Sequence, residues 1–156
     1  FYTIIPSILN EYEEKAKNLT NDYGDIVEEF EIQFIDGDGI NCKLFSALNI
    51  HQGNFADFLD CVDEWDIDEK IKVILAVGEC GYSFTFGQDT PDQFDLDLYE
   101  MESMRDLAME FVDQGLFGDI PANIQNYLDY KAIAYDLGMD YSETTIDGTR
   151  YIYRMA

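Results

Sequence analysis

The chain has 156 residues, 47% of them hydrophobic and 15% aromatic. That is enough apolar material to bury a core, and it excludes the aromatic-poor acidic chains that stay disordered. Against 33 Asp and Glu stand 9 Lys and Arg, a formal net charge of -24, which disfavours direct binding to nucleic acid or to an anionic membrane because both need cationic contacts.

In chain order, Phe1 to Ile5 reads as a short strand ending at Pro6, and Ser7 can cap a helix to about Leu19 with Ile8, Tyr12 and Leu19 inward. Asn21-Asp22-Tyr23-Gly24 is a turn. Glu28 to Ile35 alternates, with Phe30, Ile32 and Phe34 on one face, and Asp36-Gly37-Asp38-Gly39 is expected to turn it back into a second strand, Ile40 to Phe45. From Asn54 the period becomes helical. Phe55, Phe58, Leu59 and Val62 form one stripe and Asp57, Asp60, Asp63 and Glu64 the other. Asp66 or Asp68 caps a second helix through Ile71, Ile74, Leu75 and Val77, closed by Gly78. Short strands are expected at Gly81 to Gly87 and Phe94 to Tyr99, around the Thr90-Pro91 turn.

Met101, Met104, Leu107, Ala108, Phe111 and Val112 mark an amphipathic helix ending at Gly115. After Pro121 one helix is expected through Ile124, Tyr127, Leu128, Ile133 and Leu137 to Gly138. Thr144 to Ile146 and Tyr151 to Tyr153 flank Asp147-Gly148 as a closing hairpin. The fold class is α+β: small antiparallel sheets with amphipathic helices, elongated, as two to three small subdomains in a row. The expected division is an N-terminal α+β unit over 1–50, a central helical unit over 51–98 and a C-terminal α+β unit over 99–156.

The acids are spread through every segment. Glu102, Asp106, Glu110 and Asp113 follow i, i+4, i+8, i+11 and so line one outer helix face. Neighbours four apart lie ~6 Å apart along the axis, of the order of the phosphate spacing along a DNA strand. Duplex DNA carries one charge per ~1.7 Å, so the net charge equals that of about 40 Å of duplex. Self-repulsion of this size destabilises a compact chain. Composition alone leaves three explanations open: imitation of DNA before a basic partner, plain solubility, and adaptation to high salt.

Other chemistries find little support. Asp36-Gly37-Asp38-Gly39 starts like a calcium loop, but Ile40 and Ala47 stand at later ligand positions. Asp95 and Asp97 share a strand face with no third acid to complete a cage, which leaves a weak cation site as one reading. His51 is the only histidine, so neither a two-histidine metal site nor a histidine-rich triad can be built; a Cys61–His51 pair stays open. No Walker-type glycine loop is present, and no catalytic residue, metal site or cofactor is expected. Cys42, Cys61 and Cys80, odd in number and far apart, fit a reducing cytoplasm and no disulfide framework. No transmembrane run or signal peptide is expected.

Gly115-Leu116-Phe117-Gly118-Asp119-Ile120-Pro121, then Asn126-Tyr127-Leu128-Asp129-Tyr130-Lys131-Ala132, then Asp136-Leu137, resembles the ArdA-type antirestriction family. The resemblance is clear over about 100–156 and continues more weakly upstream to about Asn54; Ala134-Tyr135 stand where the family often has Gly-Arg. It implies an elongated three-part α+β protein that is no enzyme and is dimeric through its C-terminal part, with Phe117, Tyr127, Leu128 and Tyr130 as interface residues. It further implies a DNA mimic, carried by mobile elements, that occupies the DNA groove of type I restriction–modification enzymes in the bacterial cytoplasm. The acidic residues expected to carry the mimicry are Asp57, Asp60, Asp63, Glu64, Glu102, Asp106, Glu110, Asp113 and Asp119. The alternative from charge alone is an acidic adaptor or chaperone-like module for another basic protein.

Overall fold

The computed structural model describes residues 18–26, 32–33 and 37–156. The expected strand at 1–5, the helix from Ser7 and nearly all of the strand at 28–35 lie outside the described residues. Helices and a small antiparallel sheet give an α+β fold, as the sequence implies. Two compact units divide between Phe94 and Asp95.

In the first unit, Asn21 organises a tight turn, its Oδ1 accepting the amides of Tyr23 and Asp25 at 2.9 and 3.0 Å. Helix α1 spans Gly39–Ala47, where a returning strand was expected. The reason lies in Asp38, an extended N-cap residue whose Oδ1 accepts the Asn41 amide at 2.8 Å. That bond satisfies an orphan helix donor and starts a helix where the Asp-Gly pair alone suggests a hairpin. Leu44 is fully buried on this helix.

Helix α2, Phe55–Glu64, buries Phe55, Phe58 and Leu59, with Phe58 edge-on to Phe45 at 5.4 Å. Helix α3, Ile67–Val73, opens on a full capping box: Glu69 N–H donates to Asp66 at 2.8 Å and Asp66 N–H to Glu69 at 2.9 Å. It continues as a π-helical segment, Ile74–Glu79, beyond the expected stop at Gly78. The wider turn brings Gly78 against α1, where an added Cβ would lie 3.2 Å from that of Ala47. No strand forms at 81–87; Thr85 instead donates its amide to Asp89 Oδ2 at 2.7 Å. Phe84 stacks edge-on against Trp65 and Phe86, each at 5.5 Å, and a 3-10 turn at Pro91–Gln93 closes the unit.

The second unit holds strands β1 (Leu96–Glu100), β2 (Ser142–Ile146) and β3 (Thr149–Met155), antiparallel in the order β1-β3-β2. Asp147 and Gly148 link β2 to β3 with φ of 49 and 80 degrees, the doubly left-handed pair of a two-residue type I′ hairpin. Helix α4, Met104–Asp113, starts at Ser103, which accepts the Asp106 amide, and buries Leu107, Ala108, Phe111 and Val112. The single helix expected after Pro121 is two: α5, Ala122–Gln125, and α6, Tyr130–Leu137. Asp129 makes the break, its carboxylate accepting the amides of Lys131 and Ala132 at 3.1 Å each and so starting α6 afresh. Leu107, Phe111, Tyr141 and Ile152 form the core, flanked by Tyr99, Met101, Met104 and Leu137. Tyr99, Phe111 and Tyr141 meet edge-to-face with centroids 5.5 to 6.1 Å apart.

Candidate functional site

The amphipathic period that buries one face of each helix exposes its acids on the other. On α2, Asp57, Asp60, Asp63 and Glu64 are all exposed, opposite Phe55, Phe58 and Leu59. Cys61 registers their field. Its thiol is pushed up to about 11, first by burial and then by the charges of Asp57, Asp60 and Glu64. A thiol so raised is no nucleophile at neutral pH. All three cysteines are free.

On α4, Asp106 and Asp113 are exposed and Glu110 half-exposed, with Glu102 exposed just before the helix. The turns of this helix place Asp106, Glu110 and Asp113 opposite the centre of the face that buries Leu107, Ala108, Phe111 and Val112. Their polar contacts are local and neutral. Ser103 Oγ donates to Asp106 at 2.5 Å, and Gln114 Nε2 donates to Glu110 at 2.6 Å. Asp119 is exposed in the loop before α5.

Four of the bases make their contacts with other groups. Lys70 Nζ donates to the Val62 carbonyl at 2.7 Å, and the Arg105 guanidinium lies 6.0 Å from the Tyr130 ring centroid. Arg154 donates to Asp97 Oδ2 from Nη2 at 2.5 Å and from Nε at 3.1 Å, while standing 4.9 Å over the Tyr141 ring. Arg150 reaches the Glu102 carbonyl at 2.7 Å and Glu143 at 3.8 Å. Among the described residues, ion pairs join only Arg150 to Glu143 and Arg154 to Asp97. None of the nine acids expected to carry the site has a cationic partner there.

The guanidinium of Arg154 also occupies the carboxylate that a cation at Asp95 and Asp97 would need. No group of three or more His, Cys, Asp or Glu among the described residues is arranged to hold a metal. His51 Nδ1 accepts the Gly53 amide at 3.0 Å, a local turn contact. No helix among the described residues is long and apolar enough to cross a membrane.

Of the apolar residues expected at an interface, Tyr127 is 86% and Phe117 52% exposed, while Leu128 and Tyr130 are half-buried. Leu116, Ile124, Tyr135 and Met139 are exposed as well, and sequence reasoning did not name them as interface residues. Ile124 belongs to the single helix expected after Pro121, which Asp129 interrupts. Tyr135 lies on α6, which buries none of its residues, and Leu116 and Met139 lie in turns, so no helical period marks them.

Comparison with curated proteins and with solved structures finds no match. The sequence does match the ArdA antirestriction protein family over residues 7–151, reaching well upstream of the motif-bearing last third. With that match spanning nearly the whole chain, this protein belongs to the ArdA family of antirestriction proteins.

Proposed function

We propose that this chain blocks type I restriction–modification enzymes by imitating DNA, setting carboxylates where the enzyme's DNA groove expects phosphates. The family supplies the antirestriction role. The observation that carries the mechanism is the division of charge: the acids of α2 and α4 have no cationic partner among the described residues, while Lys70, Arg105, Arg150 and Arg154 make their contacts with other groups. Lysines and arginines that neutralise phosphates would meet these carboxylates, drawn by the same long-range steering that brings in DNA. Inhibition is then competitive and stoichiometric. The setting is the cytoplasm of a bacterium that a mobile element has entered. Two copies associate through apolar residues of the second unit, an arrangement supported by the exposed Phe117 and Tyr127.

The test displaces labelled duplex from a purified type I enzyme with the protein, then repeats it with one, two and four of Glu102, Asp106, Glu110 and Asp113 replaced by Gln or Asn. A graded loss of displacement supports the mechanism, because many weak screened contacts share the energy. Full displacement by the quadruple variant, with a single substitution elsewhere abolishing it, would refute it.

A further inference from the structure

We propose that Glu143 and Arg150, two residues of the closing hairpin, are positioning residues that anchor the start of α4 and so place its stripe of carboxylates; this rests on the DNA-mimic reading. The segment from Met101 to Met104 enters α4 from β1, and three contacts with the hairpin hold it. Met101 N–H donates to the Arg150 carbonyl at 3.3 Å. Arg150 Nη1 donates to the Glu102 carbonyl at 2.7 Å, across 48 residues of sequence. Glu143 Oε1 accepts the amide of Met104, the first residue of α4, at 3.0 Å, across 39 residues.

That amide is one of the orphan donors at a helix start, where a carboxylate also meets the positive end of the helix dipole. Ser103 Oγ takes the Asp106 amide, and the hairpin adds the acceptor for the Met104 amide. The register explains how both side chains reach it. Arg150 pairs with Thr145 and Glu143 with Ile152, which places Glu143 diagonally across from Arg150 on the sheet face that Ile152 turns to the core. Arg150 Nη2 stands 3.8 Å from Glu143 Oε2 and steadies the carboxylate. Glu102, the first acid of the stripe, is thus gripped by its carbonyl while its own carboxylate has no ion pair among the described residues. Core packing fixes which side of α4 is buried; the hairpin cap fixes the end from which the stripe begins.

Charge and position make opposite demands, which gives a clean test. Variants of the full chain are compared by displacement of duplex from a type I enzyme, with thermal melts to verify folding. E143A and E143Q remove the same charge, but Gln keeps an oxygen to accept the Met104 amide. R150M adds one unit of net negative charge, which by steering alone would strengthen inhibition. The proposal expects E143A and R150M to weaken inhibition by about threefold or more while E143Q stays near the parent. In a background of D106N, E110Q and D113N, E143A and R150M should bring no further loss, since there is no stripe left to place. Equal loss in E143Q and E143A overturns the positioning role, as does an undiminished R150M loss in the neutralised background. Should R150M fail to fold, the charge-matched Glu143 pair decides alone. If the neutralised background itself inhibits like the parent, the reading of α4 as a mimic surface fails, and the positioning role falls with it.

Discussion

Asp106 and Asp113 stand on one stripe of one helix, yet their neutralisation should move stability in opposite directions. Asp113 is the last residue of α4, and no base sits in that final turn. It meets the negative end of the helix dipole, a clash of about 0.3–1 kcal/mol, and repels Glu110 three residues back by about 0.2–0.5 kcal/mol. D113N should therefore stabilise the chain by about 0.5–1.5 kcal/mol. Asp106 lies in the first turn and takes the Ser103 hydroxyl at 2.5 Å. D106N loses about 0.3–1 kcal/mol of dipole attraction and weakens that bond, against about 0.2–0.5 kcal/mol of relief from Glu110. The net is a loss of about 0.5 kcal/mol. Urea unfolding at low ionic strength measures both, and both effects should shrink as the screening length falls from about 10 Å at 0.1 M salt to about 3 Å at 1 M. Both variants should nonetheless inhibit less well than the parent. If both acids shift stability the same way, the placement of the stripe relative to the two ends of α4 is not what governs it, and the reasoning fails.

Three further outcomes follow from local geometry. D66A breaks the capping box of α3 and should cost about 0.5–2 kcal/mol in urea unfolding, while D68A, which removes no cap bond, should cost less. Cys61, raised to about 11 from 9.0 by burial and its acidic neighbours, should be alkylated later than the exposed Cys42. The stability gained by keeping that thiol neutral is full below pH 9, where the unfolded thiol is also protonated, and is lost as pH rises towards about 11; C61S should remove that portion of the alkaline decline. Sedimentation across dilution should show a dimer that Y127A loosens, and a strict monomer at micromolar concentration would refute the association.

Helices with a long apolar stripe were legible because period and core agree: Phe55, Phe58 and Leu59 on α2, and Leu107, Phe111 and Val112 on α4, are buried as the pattern implies. The closing hairpin was legible from Asp147-Gly148 because few residue pairs accept two left-handed conformations in succession. Misreadings came where one short acidic side chain decides between structures. Asp38 caps a helix where Asp-Gly suggested a hairpin, and Asp129 splits one expected helix into two. In a chain so rich in Asp, the sequence offers many caps and does not say which are used. The acidic faces were legible as helix faces. The hairpin grip on α4 was not, because contacts spanning 39 and 48 residues leave no local pattern.

The same scarcity that makes the surface acidic shapes how its few bases are used. A lysine or arginine left beside an exposed acid would cancel charge on the surface and gain little stability, since exposed ion pairs contribute about 0–1 kcal/mol. Lys70 instead ties α3 back to the Val62 carbonyl of α2, and Arg150 ties β3 to the approach of α4. In both cases a cation meets a backbone carbonyl near the acidic helix, holding that helix without pairing with its acid stripe. Arg105 and Arg154 each lie near a tyrosine ring, a neutral partner that again leaves nearby carboxylates charged, although Arg154 also takes Asp97. The carboxylates that Arg150 and Arg154 do meet, Glu143 and Asp97, lie outside the α2 and α4 faces, so the contacts these cations make leave the acids of those faces unneutralised.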